Sequence, residues 1–225
     1  MNRNRPVRAR LAGAGSLLGL LLLWQVAAVA VGREFVLPGP AAAFRALASL
    51  AGDGAAWRHL GATLLRGLLG FALSYLAGLA AGLAAGLSLA FAAAFRPLLA
   101  GLRSAPTMAL TLLALLWFRA DTVAVFVTFL VVFPLVTQAV ADGVAGVDPA
   151  LVEMARLYRV RGASLLRRLY LPAVLPHLTA AATSGLGLTW KVMVSAEILA
   201  APRWGVGARL DGARTFLNAP EVFAW

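Results

Sequence analysis

Long apolar runs separated by short polar segments set the plan of this chain. The first run extends from Leu11 to Val31 and is broken only by Ser16 and Gln25. A secretory signal has a basic head, an apolar core of ~7–15 residues and small residues near its cleavage point. This segment shares the head and the small residues Ala28 and Ala30, but its apolar run of 21 residues is long enough to span a bilayer. It therefore predicts a first transmembrane helix. Gly32 to Arg58 is mixed. Leu37-Pro38-Gly39-Pro40 reads as a rigid extended stretch, because proline fixes its own φ and restricts the residue before it. Phe44, Leu47, Leu50 and Ala51 then recur at helical spacing up to the stop Gly52-Asp53-Gly54.

The run from Leu60 to Phe95 is too long for one crossing at about 1.5 Å per residue. The spanning part is expected over Gly67 to Ala90, with His59, Thr63 and Arg66 outside the hydrocarbon. Within it Ser74, Gly78, Gly82 and Gly86 recur every fourth residue, a spacing that lets two helices approach closely in lipid. The partner could lie in the same subunit or in a second copy. Arg96 to Ser104 reads as a polar return segment. Ala105 to Phe118 is apolar but short for a span, with Pro106 at its start. Thr122 to Ala141 is a further span containing Pro134, and Ala173 to Ala201 is another, interrupted by Lys191 and Glu197. Pro202 to Leu217 reads as a polar loop, and Glu221 to Trp225 as the start of a sixth helix that the sequence does not complete. The expectation is an all-α polytopic membrane protein with about five transmembrane helices and a truncated sixth.

Ionisable groups at membrane depth are costly and face protein or water. Lys191 and Glu197 are six residues apart and so about 120° apart on a regular helix, which does not make them natural partners. Either the helix breaks near Ser195, or each has a partner elsewhere, or Glu197 is hydrated at an interface. Lys191, Ser195 and Glu197 are candidate pathway residues.

Composition agrees with this class: 61% of the residues are apolar and 13% charged, against ~45–50% and ~25% in soluble domains. The net charge of +11 comes from arginines and one lysine, Lys191. The arginines lie between apolar runs rather than on one soluble face, which excludes nucleic acid as a partner. Arg3, Arg5, Arg8 and Arg10 precede the first span, and Arg156, Arg159, Arg161, Arg167 and Arg168 crowd one later segment. Such clusters stay cytoplasmic. There is no cysteine, no phosphate-binding glycine loop ending in Lys-Ser or Lys-Thr and no zinc-hydrolase motif, and His59 and His177 are isolated. These absences predict no catalytic residues, no metal and no cofactor in this chain.

The later arginine cluster lies in the longest polar segment, Val147 to Pro176. Asp148 is placed to cap a helix opened by Pro149, with Glu153 in its first turns. Leu151, Met154, Ala155 and Tyr158 form an apolar stripe, Gly162 is the expected turn, and Ala163 to Tyr170 a short basic helix ending at Leu171-Pro172.

This segment resembles the EAA loop of the membrane permease subunits of bacterial ABC importers. Glu153, Ala155, Leu169, Leu171 and Pro172 fall on that pattern. Met154 replaces its first alanine and Arg159 occupies its glycine position. Leu37-Pro38-Gly39-Pro40, Leu64-x-Arg66-x-x-x-Gly70-Phe71, Pro106 before a segment ending Trp117-Phe118, and Trp190 through Glu197-Ile198-Leu199 look like the sulfonate, taurine and nitrate branch.

The resemblance implies a type I importer permease domain over residues 60–225, preceded by an arm, first helix and outer loop over residues 1–59. It implies a coupling loop at residues 147–172 in which Glu153, Met154, Ala155, Tyr158, Arg159, Gly162 and Pro172 meet a cytoplasmic ABC ATPase dimer. It further implies an extracytoplasmic solute-binding protein, a second permease copy, a bacterial inner-membrane location with a cytoplasmic N-terminus, and a small solute of anionic type. ATP hydrolysis would belong to the partner. A secondary transporter or a structural membrane subunit are the alternative readings.

Overall fold

The computed structural model describes residues 5–225, with the backbone alone for residues 5–12 and 14. The side chains of the Arg3–Arg10 cluster thus lie outside the described residues. All described regular structure is helical. The chain divides into two compact units, residues 1–59 with 209–225, and residues 60–208.

The first unit contains α1 (Arg5–Val31), α2 (Pro40–Gly52) and the C-terminal α11 (Ala219–Ala224). Pro40 opens α2, since a helix's first turn needs no donor there. The Trp24 indole N–H donates to the Pro38 carbonyl at 2.9 Å, and the Trp24 ring stacks on Phe223 with centroids 5.7 Å apart. Asn218 caps α11 by accepting from the Glu221 N–H.

The second unit holds most of α3 (Gly54–Leu87), α4 (Leu89–Ser104), α5 (Thr107–Leu115), α6 (Ala120–Ala145), α7 (Pro149–Leu157), α8 (Ala163–Leu165) and α9 (Leu171–Ala200), and the start of α10 (Val206–Thr215). Its core is α6. The α6 residues Val123, Ala124 and Val127 are buried with Ala114 of α5 and Val192, Met193 and Ala196 of α9. Farther along, Val132, Val136, Val140 and Val144 are buried with Val174 and Leu178 of α9, against Phe71, Tyr75, Leu79 and Leu83 of α3.

The α3–α6 seam is set by the small-residue row. A methyl group added at Gly78 would lie 2.7 Å from the Val136 Cβ, and one at Gly82 2.5 Å from the Val140 Cβ. At Gly86 it would overlap Val144. Ser74 is fully buried in the same row and donates to the Gly70 carbonyl at 2.6 Å. Residue numbers rise together on both helices, so α3 and α6 run parallel, and the return between them is made by α4 and α5. In lipid such contacts, rather than water exclusion, hold helices together. The row thus serves a contact inside the subunit.

Several elements differ from the sequence expectation. Ser88 ends α3 early, because its hydroxyl accepts from the Phe91 N–H and caps α4. Arg96 to Ser104 is helical rather than a polar return, and the turn falls at Ala105-Pro106, where α4 and α5 meet at 96°. A residue before proline avoids the helical region, which fixes the bend there. The polar stretch after Pro202 is largely helix, α10. Two helices, α3 and α6, are long and apolar enough to cross a bilayer among the described residues, and α4 with α5 makes a third if the bent pair is one span. The helix α9, at 30 residues, has the length but carries His177, Lys191 and Glu197.

Candidate functional site

At one end of α9, Glu197 is fully buried in an unbroken helix. Its carboxylate accepts from Arg66 Nη1 at 2.5 Å, from the Thr63 hydroxyl at 2.7 Å and from the Gly207 N–H at 3.1 Å. The second Arg66 amino group donates to Asp121 Oδ1 and to the Trp204 carbonyl, both at 2.6 Å. The Thr63 oxygen in turn accepts from the Val206 N–H at 2.9 Å. Four segments are thereby tied together: α3 by Thr63 and Arg66, α6 by Asp121 in its first turn, α9 by Glu197, and the stretch from Trp204 to Gly207. Desolvating a carboxylate is expensive, and three donors on one group are what offset it. The backbone comes in close to reach the carboxylate: a methyl group on Gly205 would sit 2.7 Å from Oε2, and one on Gly207 2.6 Å from the Glu197 Cβ.

This cluster resolves the alternatives for Glu197. It is neither hydrated nor in a broken helix; its partner is Arg66, from a segment read as lying outside the hydrocarbon. Arg66 and Asp121 are site residues that sequence reasoning missed. The available signal was level: Arg66 directly precedes the span expected from Gly67, Asp121 directly precedes the one from Thr122, and Glu197 lies near the end of the one that runs the opposite way. Lys191 is placed differently. It is exposed on α9 and makes no ion pair among the described residues. The Ser195 hydroxyl donates to the Lys191 carbonyl at 2.8 Å.

At the other end of α9 lies the arginine-rich segment. Asp148 caps α7 by accepting from the Ala150 N–H at 2.8 Å. Glu153 stands beyond the first turn, outside the reach of the helix-end dipole. It instead lines a cleft of about 250 Å³ with Arg156, Val152, Val144 and Tyr170. The apolar side chains on the other face are uncovered: Leu151, Met154, Leu157 and Tyr158 are 43%, 50%, 83% and 78% exposed, while Ala155 is half-buried. Leu157 belongs to that face and was absent from the expected stripe. The helix ends at Leu157, so residues 158–162 are turn, not helix.

That turn explains Arg159. The Val160 N–H donates back to the Ala155 carbonyl and the Arg159 N–H to the Arg156 carbonyl, which is the Schellman closure of a helix. Its closing position requires a left-handed backbone, and Arg159 takes it with φ 57°. Glycine is the residue suited to that conformation, so the glycine position of the resembled pattern is a helix stop here held by arginine. Gly162 follows with φ 60° and ψ −135°, a region open essentially to glycine alone. Pro172 does not begin a separate helix. Ala163 to Ala200 winds continuously through a π-helical turn at Leu166–Tyr170. A wider turn accommodates a proline that cannot donate four residues back. All five arginines of the segment are exposed. No cluster of His, Cys, Asp or Glu suited to a metal occurs among the described residues.

Residues 74–220 match the family model described as the binding-protein-dependent transport system inner membrane component. The chain belongs to that family of ABC importer permeases. The permease is 34% identical to the aliphatic sulfonates transport permease of Escherichia coli K12, over 91% of this chain and 78% of that protein. It is 32% identical to the Bacillus subtilis 168 protein of the same description, over 99% and 82%, and 30% identical to the taurine transport system permease of Escherichia coli K12, over 93% and 78%. The permease is thus an inner-membrane, multi-pass transport subunit of the sulfonate and taurine branch.

Proposed function

We propose that the permease forms the passage for a small anionic solute of sulfonate type and takes its drive from a cytoplasmic ATPase through α7. The observation that carries this reading is the uncovered apolar face Leu151, Met154, Leu157 and Tyr158 on a capped, stopped helix. Such a face is what a partner's groove takes up in a helix-in-groove contact, and exposed arginines ring it. Movement of an ATPase pair would be passed from α7 through the turn at Arg159–Gly162 into the continuous helix that carries Glu197 near its end. A second permease copy would complete the passage, and an extracytoplasmic binding protein would deliver the solute; the relatives named for aliphatic sulfonates and taurine support an anion. The N-terminus and residues 147–172 would share the cytoplasmic side.

Met154→Asp tests the coupling role. The position is exposed, so the fold should tolerate the change. The expected result is normal membrane insertion, loss of ATPase co-purification and loss of ATP-driven taurine uptake. Retention of all three overturns the assignment. For orientation, single cysteines at Ser164 and Asn218 are probed in intact cells with an impermeant thiol reagent. Position 218 should label and position 164 should not.

A further inference from the structure

We infer that one flank of α9, together with α5, forms a binding cleft for a small organic anion with a short apolar tail, and that Lys191 is its single cationic contact. The inference rests on the passage reading above and names the cleft within it.

Ser184, Gly187, Lys191 and Ser195 are all exposed on α9. At 100° per residue they fall within about 80° of one another, on one narrow flank. The neighbouring exposed flank is different in kind: Leu186 and Trp190 lie there. An apolar flank can face lipid without cost. A flank carrying an unpaired ammonium and serines cannot, and must face water or protein.

The flank borders a cleft of about 230 Å³, lined by Thr107, Met108 and Thr111 of α5 and by Lys191, Ser195 and Leu199 of α9. Two of its three hydroxyl protons are engaged. Thr111 donates to the Thr107 carbonyl at 2.8 Å and Ser195 to the Lys191 carbonyl at 2.8 Å. Their oxygens can accept, and the donors not so engaged are the Thr107 hydroxyl and the N–H groups of the Lys191 ammonium, of which only the ammonium carries charge. No carboxylate lines the cleft; Glu197, two turns along, is buried and turned into the Arg66 cluster. The cleft therefore carries one uncompensated positive charge. An anion neutralises it, whereas a cation would be repelled. Met108 and Leu199 supply an apolar wall on the same cleft, which suits a short alkyl chain attached to the anionic head. The volume is below the ~300–1,000 Å³ of sites for drug-sized molecules, which suits a small occupant.

The chain has no cysteine, so the cleft can be probed by single replacements in the assembled transporter, with its ATPase, in proteoliposomes. Gly187→Cys, Ser195→Cys and, on the apolar flank, Leu186→Cys are reacted with anionic and cationic methanethiosulfonates of matched size. Positions 187 and 195 should react and 186 should not. The anionic reagent should be favoured by about tenfold, the effect of one charge focused in a low-dielectric cleft. Lys191→Met should abolish that preference and Lys191→Arg should keep it. Butanesulfonate should slow the reaction at position 195 only where residue 191 is cationic. A charge preference unchanged by Lys191→Met overturns the inference. So does failure of positions 187 and 195 to react faster than 186, the result expected if this flank packs against a second copy or lies in lipid. ATP-driven taurine uptake is measured in the same vesicles. A Lys191-dependent preference without uptake keeps the anion cleft and overturns the importer reading; uptake without the preference does the reverse.

Discussion

At one end of α9 sits a carboxylate without water, and at the other sit apolar side chains without cover. Around Glu197 the carboxylate is fully buried and is met by three hydrogen bonds, two from α3 and one from the stretch after α9. Around α7 the arginines stand in solvent and Leu157 and Tyr158 are almost bare. The same helix thus joins an end that is complete in this chain to one that is not. A saturated polar cluster holds its own chain together, while the uncovered apolar face is where the proposed reading seats the ATPase. The two ends should respond in opposite ways to mutation: damage at Glu197 shows in the fold, and damage at α7 shows in partnership.

The sharpest way to break that contrast is Glu197→Ala. It leaves the largely buried Arg66 guanidinium with only Asp121 and the Trp204 carbonyl, and the Thr63 hydroxyl and Gly207 N–H without their acceptor, a loss of about 3 kcal/mol, the low end for breaking a buried pair. The expected outcome is a large drop in the thermal unfolding temperature of the detergent-solubilised protein. Met154→Asp should leave that temperature unchanged. Equal temperatures for the Glu197 variant and the parent would remove the distinction between the two ends. Next in size is the seam that connects them. Gly82→Leu must push against Val140, where even one added carbon sits 2.5 Å away, and overpacking costs about 1–3 kcal/mol or more. Exposed Ala80→Leu on the same helix is the control, and expression and monodispersity after solubilisation should separate the two. Asp148→Ala removes the α7 cap and should cost about 1 kcal/mol, read as weaker ATPase binding with the fold intact. The smallest effect has the opposite sign. Arg159→Gly relieves a left-handed residue and should favour the closed helix end by about 1 kcal/mol, which affinity measurements against the ATPase would detect as tighter docking.

Much of the architecture was legible because membrane helices leave a strong pattern. The apolar runs and the polar segment between α6 and α9 stand out by composition. The cap at Asp148 and the start of α5 after Pro106 follow from local chemistry. The every-fourth-residue row from Ser74 to Gly86 was readable as a contact surface, although its partner was not, since nothing local distinguishes α6 from a second copy. The Glu197 cluster was invisible for the same reason. Arg66 lies 131 residues from Glu197, and their pairing depends on how three helices are arranged. Local reading also failed at Ser88 and at Arg96 to Ser104. Ser88 was read inside the span, yet serine is a good cap, and the polarity of Arg96 to Ser104 suggested a return segment, yet arginine is a good helix former.

The seam between α3 and α6 has a further property. Gly78, Gly82 and Gly86 meet Val136, Val140 and Val144 at one constant offset, like teeth of equal pitch. Equal teeth do not define a single engagement. Shifting one helix by a full turn, about 5.4 Å, sets each remaining glycine against the next valine with much the same fit. What singles out one engagement is the charged cluster beyond one end of the glycine row, where Arg66 bridges Glu197 and Asp121 and has no repeat to slip to. The seam is a rack that could run to more than one stop, and Arg66 is the pin that holds it at this one.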